Sequence, residues 1–251
     1  MFRGKPVLEA GENDARLLKP IAQYGKNKDR ALLLLHGFSS SPAVYRLMLP
    51  ALTGYDAIVA PTLAGHGDSI AAFSQSTAKQ WIESAETACA NLIDNYRHVD
   101  VLGLSLGGLL ACHLSARFPL NRLYLLAPAL RIKSSIPFAL HLARTMRFLG
   151  FHLLRNQAGN ICMEGRAELT YRQLPIPATI EILTLIRDFD FKQPTCPTDL
   201  FLGKWDEVVD SKAVADMFLK NPNVTTHWLK KSAHILPLDN DVNTILDVVN
   251  K

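Results

Sequence analysis

The sequence predicts an α/β protein built on a mostly parallel sheet with helices on both sides. Three observations carry that expectation. Short apolar runs without polar alternation recur along the chain, which is the pattern of strands covered on both faces. Longer stretches of helical periodicity separate those runs, as in a sheet wound by crossover helices. The 251 residues, 48% of them hydrophobic, suffice for one large core, so a single domain over residues 1–251 is expected.

The runs expected as strands are Ala31–Leu35 (ALLLL), Ala57–Ala60 (AIVA), Val99–Leu104 (VDVLGL), Leu123–Leu126 (LYLL), Asp199–Leu202 (DLFL) and Thr225–Leu229 (TTHWL). Any strand before them falls within Met1–Ile21, around VLEA and ARLLKP. A helix is expected from Thr77 to Tyr96, where Trp81, Ile82, Ala85, Cys89, Leu92, Ile93 and Tyr96 share one side. Thr77 and Gln80 have the spacing of a capping box at its start. Further helices are expected over Leu106–Phe118, closed by Pro119, over Ser211–Leu219 with Asp210 as cap, and at the end with Val242, Ile245, Leu246 and Val249 as its apolar stripe. From about Ala129 to Phe191 no convincing strand appears. A stretch that long exceeds a plain crossover, and it reads as a helical lid (residues 129–191) over the carboxyl edge of the sheet.

Charge and composition exclude several classes. The net charge is +4 with no block of consecutive Lys or Arg, which argues little for nucleic acid. The four cysteines, Cys89, Cys112, Cys162 and Cys196, lie too far apart for a metal or redox pair and read as buried free thiols. No secretory-type apolar segment opens the chain, and no uncharged apolar run approaches the length of a membrane span. A soluble, cytoplasmic setting is expected.

The chemistry concentrates in VLGLSLGGLL, Val101–Leu110. Glycine weakens a strand or helix by roughly 0.5–1 kcal/mol relative to alanine, so glycines crowded around one serine require a reason. A serine on a sharp strand-to-helix turn has crossing main chain on both sides, and only small residues fit two before and two after it. Gly103 and Gly107 meet that need, and the flanking sequence supplies the strand and the helix. A phosphate-cradling loop is disfavoured, because no Lys follows the glycines. A serine hydroxyl needs a base to attack. On such a sheet the acid and then the histidine follow in chain order after later strands, and Asp206 in GKWDEVVD and His234 in KKSAHILPLDND satisfy that order.

Rival residues have simpler readings. Asp210 is the cap of the next helix, and Glu207 lies beside Asp206. His36 before Gly37 reads as a loop-holding residue, and His66 in AGHGDS as a turn stabiliser. His98, His113, His141, His152 and His227 fall within or at the ends of helix and strand patterns. Donors for a developing oxyanion are expected from the main-chain N–H of Leu106, which follows the serine, and of Phe38, in LLLLHGFSSSP.

Together, LLLLHGFSSSP, PTLAGHGDS, LGLSLGG, GKWDEVVD and SAHILPLDND occur in an order that resembles the α/β-hydrolase fold. More closely, the chain is similar to small bacterial carboxylesterases and monoacylglycerol lipase-like proteins. The resemblance, from about Arg30 onward, implies Ser105 as nucleophile, Asp206 and His234 as its partners, Phe38 and Leu106 as the oxyanion hole, and no metal or organic cofactor. It implies hydrolysis of carboxylic esters of short-to-medium acyl chains or of monoacylglycerols. A thioesterase or acyltransferase would use the same residues, and a ligand-sensing protein without catalysis would keep the same fold. The partner is a small-molecule ester. The stretch Ile136–Arg155 adds a second contact: it carries Arg144, Arg147 and Arg155 with no acidic residue, so it suits either a membrane surface or packing of a lid helix over an acyl pocket. Ile136, Phe138, Met146, Phe148 and Phe151 are its candidates to line that pocket.

Overall fold

The apolar runs become the strands of one seven-stranded sheet in the computed structural model, which describes residues 18–156 and 159–251. In chain order the elements are β1 (Ile21–Tyr24), β2 (Arg30–Leu35), β3 (Ala57–Ala60), α1 (Ile70–Gln75), α2 (Ala78–Ile93), β4 (His98–Leu104), α3 (Leu106–Ser115) and β5 (Arg122–Leu126). There follow α4 (Ile136–Phe148), β6 (Leu153–Arg155), β7 (Gln173–Pro175), α5 (Ile176–Asp188), β8 (Thr198–Gly203), α6 (Ser211–Phe218), β9 (Val224–Leu229) and α7 (Val242–Val249). The sheet order is β1-β3-β2-β4-β5-β8-β9; β1 pairs antiparallel with β3, and every other pairing in this sheet is parallel.

That order fixes where a site can form. From β2 the chain moves outward to β3, then returns across β2 to β4 and continues the other way to β5 and β8. The reversal leaves a crevice outside the carboxyl ends of β2 and β4, where open α/β sheets bind ligands. The central strands lack alternation because both faces are covered, whereas the edge strands β1 and β9 are partly exposed. Ala31, Leu33 and Leu35 of β2 pack on one side with residues of α2, α3, α5 and α6. Leu32 and Leu34 pack on the other side with Val44, Tyr45, Met48 and the Ile245, Leu246 and Val249 stripe of α7. Each buried Leu, Ile, Val or Met among them contributes about 1.5–3 kcal/mol, so the central strands are the rigid part of the molecule. Toward the amino ends of the strands, away from the crevice, buried Asp100 accepts Arg30 Nη2 at 2.6 Å and Asn121 Nδ2 at 2.6 Å. The ion is thereby compensated where it is buried.

Helix starts follow local chemistry. The capping box at α2 is formed, Gln80 N donating to Thr77 Oγ1 at 3.3 Å and Thr77 N to Gln80 Oε1 at 3.0 Å. Asp210 caps α6 by accepting Ala213 N at 3.0 Å. The first strand lies later than the expected Met1–Ile21: β1 runs from Ile21 to Tyr24, residues 18–20 at the end of ARLLKP are not strand, and VLEA lies outside the described residues.

The stretch between β5 and β8 differs from the expectation of a segment without strands. It holds α4 and α5 and also the antiparallel ribbon β6–β7. Strands of three residues are too short to produce a readable period. Helix α5 puts Ala178, Ile182 and Ile186 into the core beneath it, so this helix also serves as the crossover to β8. The reading of four buried thiols is corrected as well. Cys89 and Cys112 are buried, but Cys162 is exposed in an irregular stretch and Cys196 is half-buried just before β8. No helix among the described residues is long and apolar enough to cross a membrane.

Candidate active site

The serine turn is built from close main-chain crossings. Ser105 lies between β4 and α3 with φ 53° and ψ −112°, a positive φ that side-chain-bearing residues seldom adopt. Its N–H donates to Leu126 O at 3.0 Å, and its carbonyl accepts Leu109 N and Ala129 N, both at 3.0 Å. Holding a residue there costs about 1–3 kcal/mol, which surrounding structure must offset. The glycines make the crossing possible. A Cβ on Gly103 would lie 2.2 Å from Gly107 O, and one on Gly107 would lie 1.9 Å from Leu35 O. Gly108 is equally constrained, 2.8 Å from Pro128 Cα by the same measure; this third glycine had no assigned role in the sequence.

The loop after β2 reaches the serine. A Cβ on Gly37 would stand 3.5 Å from Ser105 Cβ, ordinary contact. Leu106 N–H is the first of α3 and so has no intrahelical acceptor. Neither it nor Phe38 N–H donates to a protein group among the described residues. His36 holds the loop. Leu63 N donates to its Nε2 at 3.0 Å, so the proton is on Nδ1, which donates to Gly37 O at 2.9 Å. Burial outweighs that carbonyl bond and pushes its pKa down to about 4. His66 is also kept neutral, first by burial and then by the neighbouring His36; its Nδ1 is 3.2 Å from Ala64 O, and its ring packs against Phe38, Phe73 and Trp81. Both histidines are structural, in agreement with the sequence reading.

Asp206 and His234 follow β8 and β9 and meet. His234 Nδ1 is 2.8 Å from Asp206 Oδ2, and both side chains are buried. An ionised carboxylate only accepts, so Nδ1 carries the proton and Nε2 remains as the basic nitrogen. The other carboxylate oxygen of Asp206 accepts Val208 N and Val209 N, each at 2.8 Å. The close fit of the two loops again depends on glycine: a Cβ on Gly203 would be 1.9 Å from Ala233 O. Burial disfavours the imidazolium, but the charge and hydrogen bond of Asp206, and the charge of Glu168, outweigh it, and His234 titrates above its ordinary value. No hydrogen bond joins Ser105 to His234 among the described residues; in unliganded sites this contact commonly tightens only with substrate. The sheet order places β4, β5, β8 and β9 side by side with their carboxyl ends on one edge, so all three side chains belong to that edge.

Two features escaped the sequence reading. Glu168, from the segment between β5 and β8, is buried within electrostatic reach of His234, and burial raises its pKa. Nothing in AELTY distinguishes that carboxyl from a surface one. Asn156, Thr170 and Ser39 form a buried polar cluster, with Ser39 Oγ and Thr170 Oγ1 2.9 Å apart and Asn156 Nδ2 donating to Thr170 Oγ1 at 3.1 Å. This cluster ties the inserted segment to the loop after β2. A cleft of about 580 Å³ opens beside it, lined by Ser39, Ser40, Asp68, Thr170 and Tyr171 among others. A larger groove of about 820 Å³ runs between α2 and the β1–β3 edge; Ser105, Asp206 and His234 line neither of the two. The expected pocket-lining side chains divide. Ile136 and Met146 are half-buried, whereas Phe138, Phe148 and Phe151 are exposed, because Leu140 and Ala143 define the inward face of α4.

Comparison with known proteins agrees with this fold. A family model described as the alpha/beta hydrolase family matches residues 32–245. A thermostable monoacylglycerol lipase of Bacillus sp. (strain H-257) is 25% identical over 235 residues, covering 89% of this chain and 90% of that protein. A solved structure from work on LipS and LipT, two metagenome-derived lipolytic enzymes, has a TM-score of 0.79 at 26% identity, covering 92% of this chain and 95% of the other. A Paleococcus ferrophilus monoacylglycerol lipase has a TM-score of 0.69 at 15% identity, covering 93% and 98%, a likeness of fold alone. The matched region runs from within β2 to within α7 and takes in the serine turn and both partner loops, and the chain belongs to the alpha/beta hydrolase family.

Proposed function

We propose that the chain is a serine hydrolase that cleaves carboxylic esters of short-to-medium acyl chains or monoacylglycerols through an acyl-enzyme on Ser105. The observation that carries this reading is the buried 2.8 Å Asp206–His234 bond on the sheet edge that also holds the strained Ser105 turn. The monoacylglycerol lipase and the lipolytic enzymes named above support the choice of substrate class.

In the proposed reaction His234 Nε2 takes the Ser105 proton as Oγ attacks the ester carbonyl. Asp206 keeps the imidazole in the working tautomer and stabilises the cation that forms. The N–H groups of Phe38 and Leu106 receive the developing oxyanion. Collapse breaks the C–O bond, and His234 returns its proton to the departing alcohol. Water then attacks the acyl-enzyme by the same route and releases the acid. Residues 129–191 act as the lid over the crevice, tied to the loop after β2 through Asn156, Thr170 and Ser39. The setting is the cytoplasm, supported by the buried, unoxidised thiols of Cys89 and Cys112.

A fluorophosphonate probe is expected to label Ser105. kcat/KM along a series of p-nitrophenyl esters and monoacylglycerols is expected to exceed that for matched acyl thioesters. Labelling elsewhere, or none, ends the serine-hydrolase reading; a preference for the thioesters reassigns the leaving group.

The outer face of the lid suits a lipid surface. Packing accounts for the inward residues of α4 but leaves Phe148 90% and Phe138 67% exposed, with Leu142, Leu149 and Phe151 exposed beside them. Residues 131–163 carry Arg131, Lys133, Arg144, Arg147 and Arg155 and no Asp or Glu. Apolar side chains beside cations match an anionic interface. Co-sedimentation with phosphatidylglycerol vesicles is expected and should be lost when Arg144, Arg147 and Arg155 are changed to Glu; equal sedimentation of parent and variant would remove lipid contact from the reading.

A further inference from the structure

We propose that Asn160, carried by the segment inserted between β5 and β8, is a positioning residue for the Asp206–His234 pair. The inference rests on the triad reading above and extends it to a residue outside the triad. Asn160 touches both loops at once. Its Nδ2 donates to Trp205 O at 2.7 Å and its Oδ1 accepts Glu207 N at 3.2 Å, so the amide spans the two residues that flank Asp206. Its own carbonyl accepts His234 N at 3.0 Å and Ile235 N at 3.2 Å. One residue therefore holds the main chain on either side of the acid and the main chain of the base.

The neighbours of Asn160 complete the clamp. A Cβ on Gly159 would lie 2.7 Å from His234 Cδ2 and 2.4 Å from Ile235 Cδ1, so the bare main chain lies against the edge of the imidazole. On the other side, Cys162 N and Met163 N each donate to the buried Asp239 carboxylate at 2.9 Å, and the same carboxylate accepts Ala233 N at 2.8 Å. The inserted segment is thus pinned to the histidine loop both before and after Ile161, itself buried in the core. Asp206 and His234 stand on the loops of two neighbouring strands, 28 residues apart in the chain. Their relative position depends on what bridges those loops.

The residue type follows from the contacts. A carbonyl acceptor on one side and an N–H donor on the other require a group with both, which an amide has and a carboxylate lacks. Changing Asn160 to Ala removes the span across Asp206 but keeps the carbonyl that holds His234. Changing it to Asp preserves shape, leaves Trp205 O without its donor and adds negative charge beside the pair.

The test uses Asn160→Ala and Asn160→Asp in the full chain with p-nitrophenyl butyrate. Displacement of a catalytic group by a fraction of an ångström to an ångström lowers rates by up to about 100-fold, so Asn160→Ala should lower kcat by about 10- to 100-fold with KM unchanged. The acid limb of kcat/KM should move to lower pH, because a loosened Asp206 supports the imidazolium less while burial remains. In Asn160→Asp the limb should move to higher pH, because the new charge favours the imidazolium. A merely structural role predicts no fall of the limb in Asn160→Ala, whereas the rise in Asn160→Asp follows from its charge alone and checks that the site lies beside His234. In an Asp206→Asn background the penalty of Asn160→Ala should disappear. If Asp206→Asn loses about 10⁴-fold while Asn160→Ala is silent, or the Asn160→Ala penalty persists in full in that background, the positioning role is overturned and the triad stands. If Asp206→Asn keeps activity close to the parent's, the triad reading has failed.

Discussion

Replacing Ser105 with alanine is expected to lower kcat for p-nitrophenyl butyrate by about 10⁶-fold, the scale of losing a serine nucleophile. The fold should survive. The Oγ has no hydrogen-bond partner among the described residues, and the turn is held by main-chain bonds to Leu126, Leu109 and Ala129 that alanine keeps. A companion variant separates chemistry from strain. Alanine retains a Cβ and hence the unfavourable φ of 53°, whereas glycine adopts that conformation without a steric penalty. Relief of about 1–3 kcal/mol, set against an entropic loss of roughly 0.5–1 kcal/mol for glycine, leaves Ser105→Gly melting at or above Ser105→Ala. Both should be inactive. Calorimetry checks the order of the melting temperatures. Turnover by Ser105→Ala close to the parent's would remove the serine from the mechanism, and a glycine variant that melts well below the alanine variant would show that the turn stores no strain.

What the sequence discloses of this site depends on how local each requirement is. The serine turn is legible because its steric demand falls on residues two before and two after, so Gly103 and Gly107 report it directly. Asp206 and His234 are legible because each follows a readable strand, the apolar run DLFL before Asp206 and the β-branched and aromatic TTHWL before His234. His36 and His66 are legible as structural residues from their place in loops beside glycine. Gly108 was visible but unassigned, because its constraint comes from Pro128, twenty residues away. Glu168 and Asn160 lie in a segment whose path over the sheet no periodicity encodes, and their importance comes from neighbours distant in the chain. The same limit divides α4. Its sequence is apolar nearly all round, so the exposure of Phe138 and Phe148 follows only once Leu140 and Ala143 are seen to face inward. Local sterics could be read from the chain; contacts made by the insertion could not.

Changing Asp206 to asparagine is expected to lower kcat/KM by about 10⁴-fold and to move its acid limb to lower pH. The loss follows from tautomer. Asparagine can still accept Val208 N and Val209 N, so the loop keeps its shape, but its amide now presents a donor to His234 Nδ1. That bond favours the proton on Nε2, the nitrogen that must accept from Ser105. The pH effect follows from the balance at His234. In the parent, burial pulls the imidazole pKa down, while the charge and hydrogen bond of Asp206 and the charge of Glu168 raise it further than burial lowers it. Catalysis needs the neutral ring, so the parent's activity falls as pH drops through a value above the ordinary 6.5. Asparagine removes both contributions of Asp206, leaving burial opposed by Glu168 alone, and the ring loses its proton at a lower pH. Glu168→Gln should move the limb in the same direction by a smaller amount, because Asp206 supplies the larger share of the upward shift, and should leave the tautomer intact. Residual activity of Asp206→Asn, measured from pH 4 to 9 and cleared of contaminating parent enzyme by an active-site titrant, decides the matter. A limb that stays in place or rises would mean that Asp206 does not hold the imidazolium, and the pairing would then have to be assigned to structure rather than to catalysis.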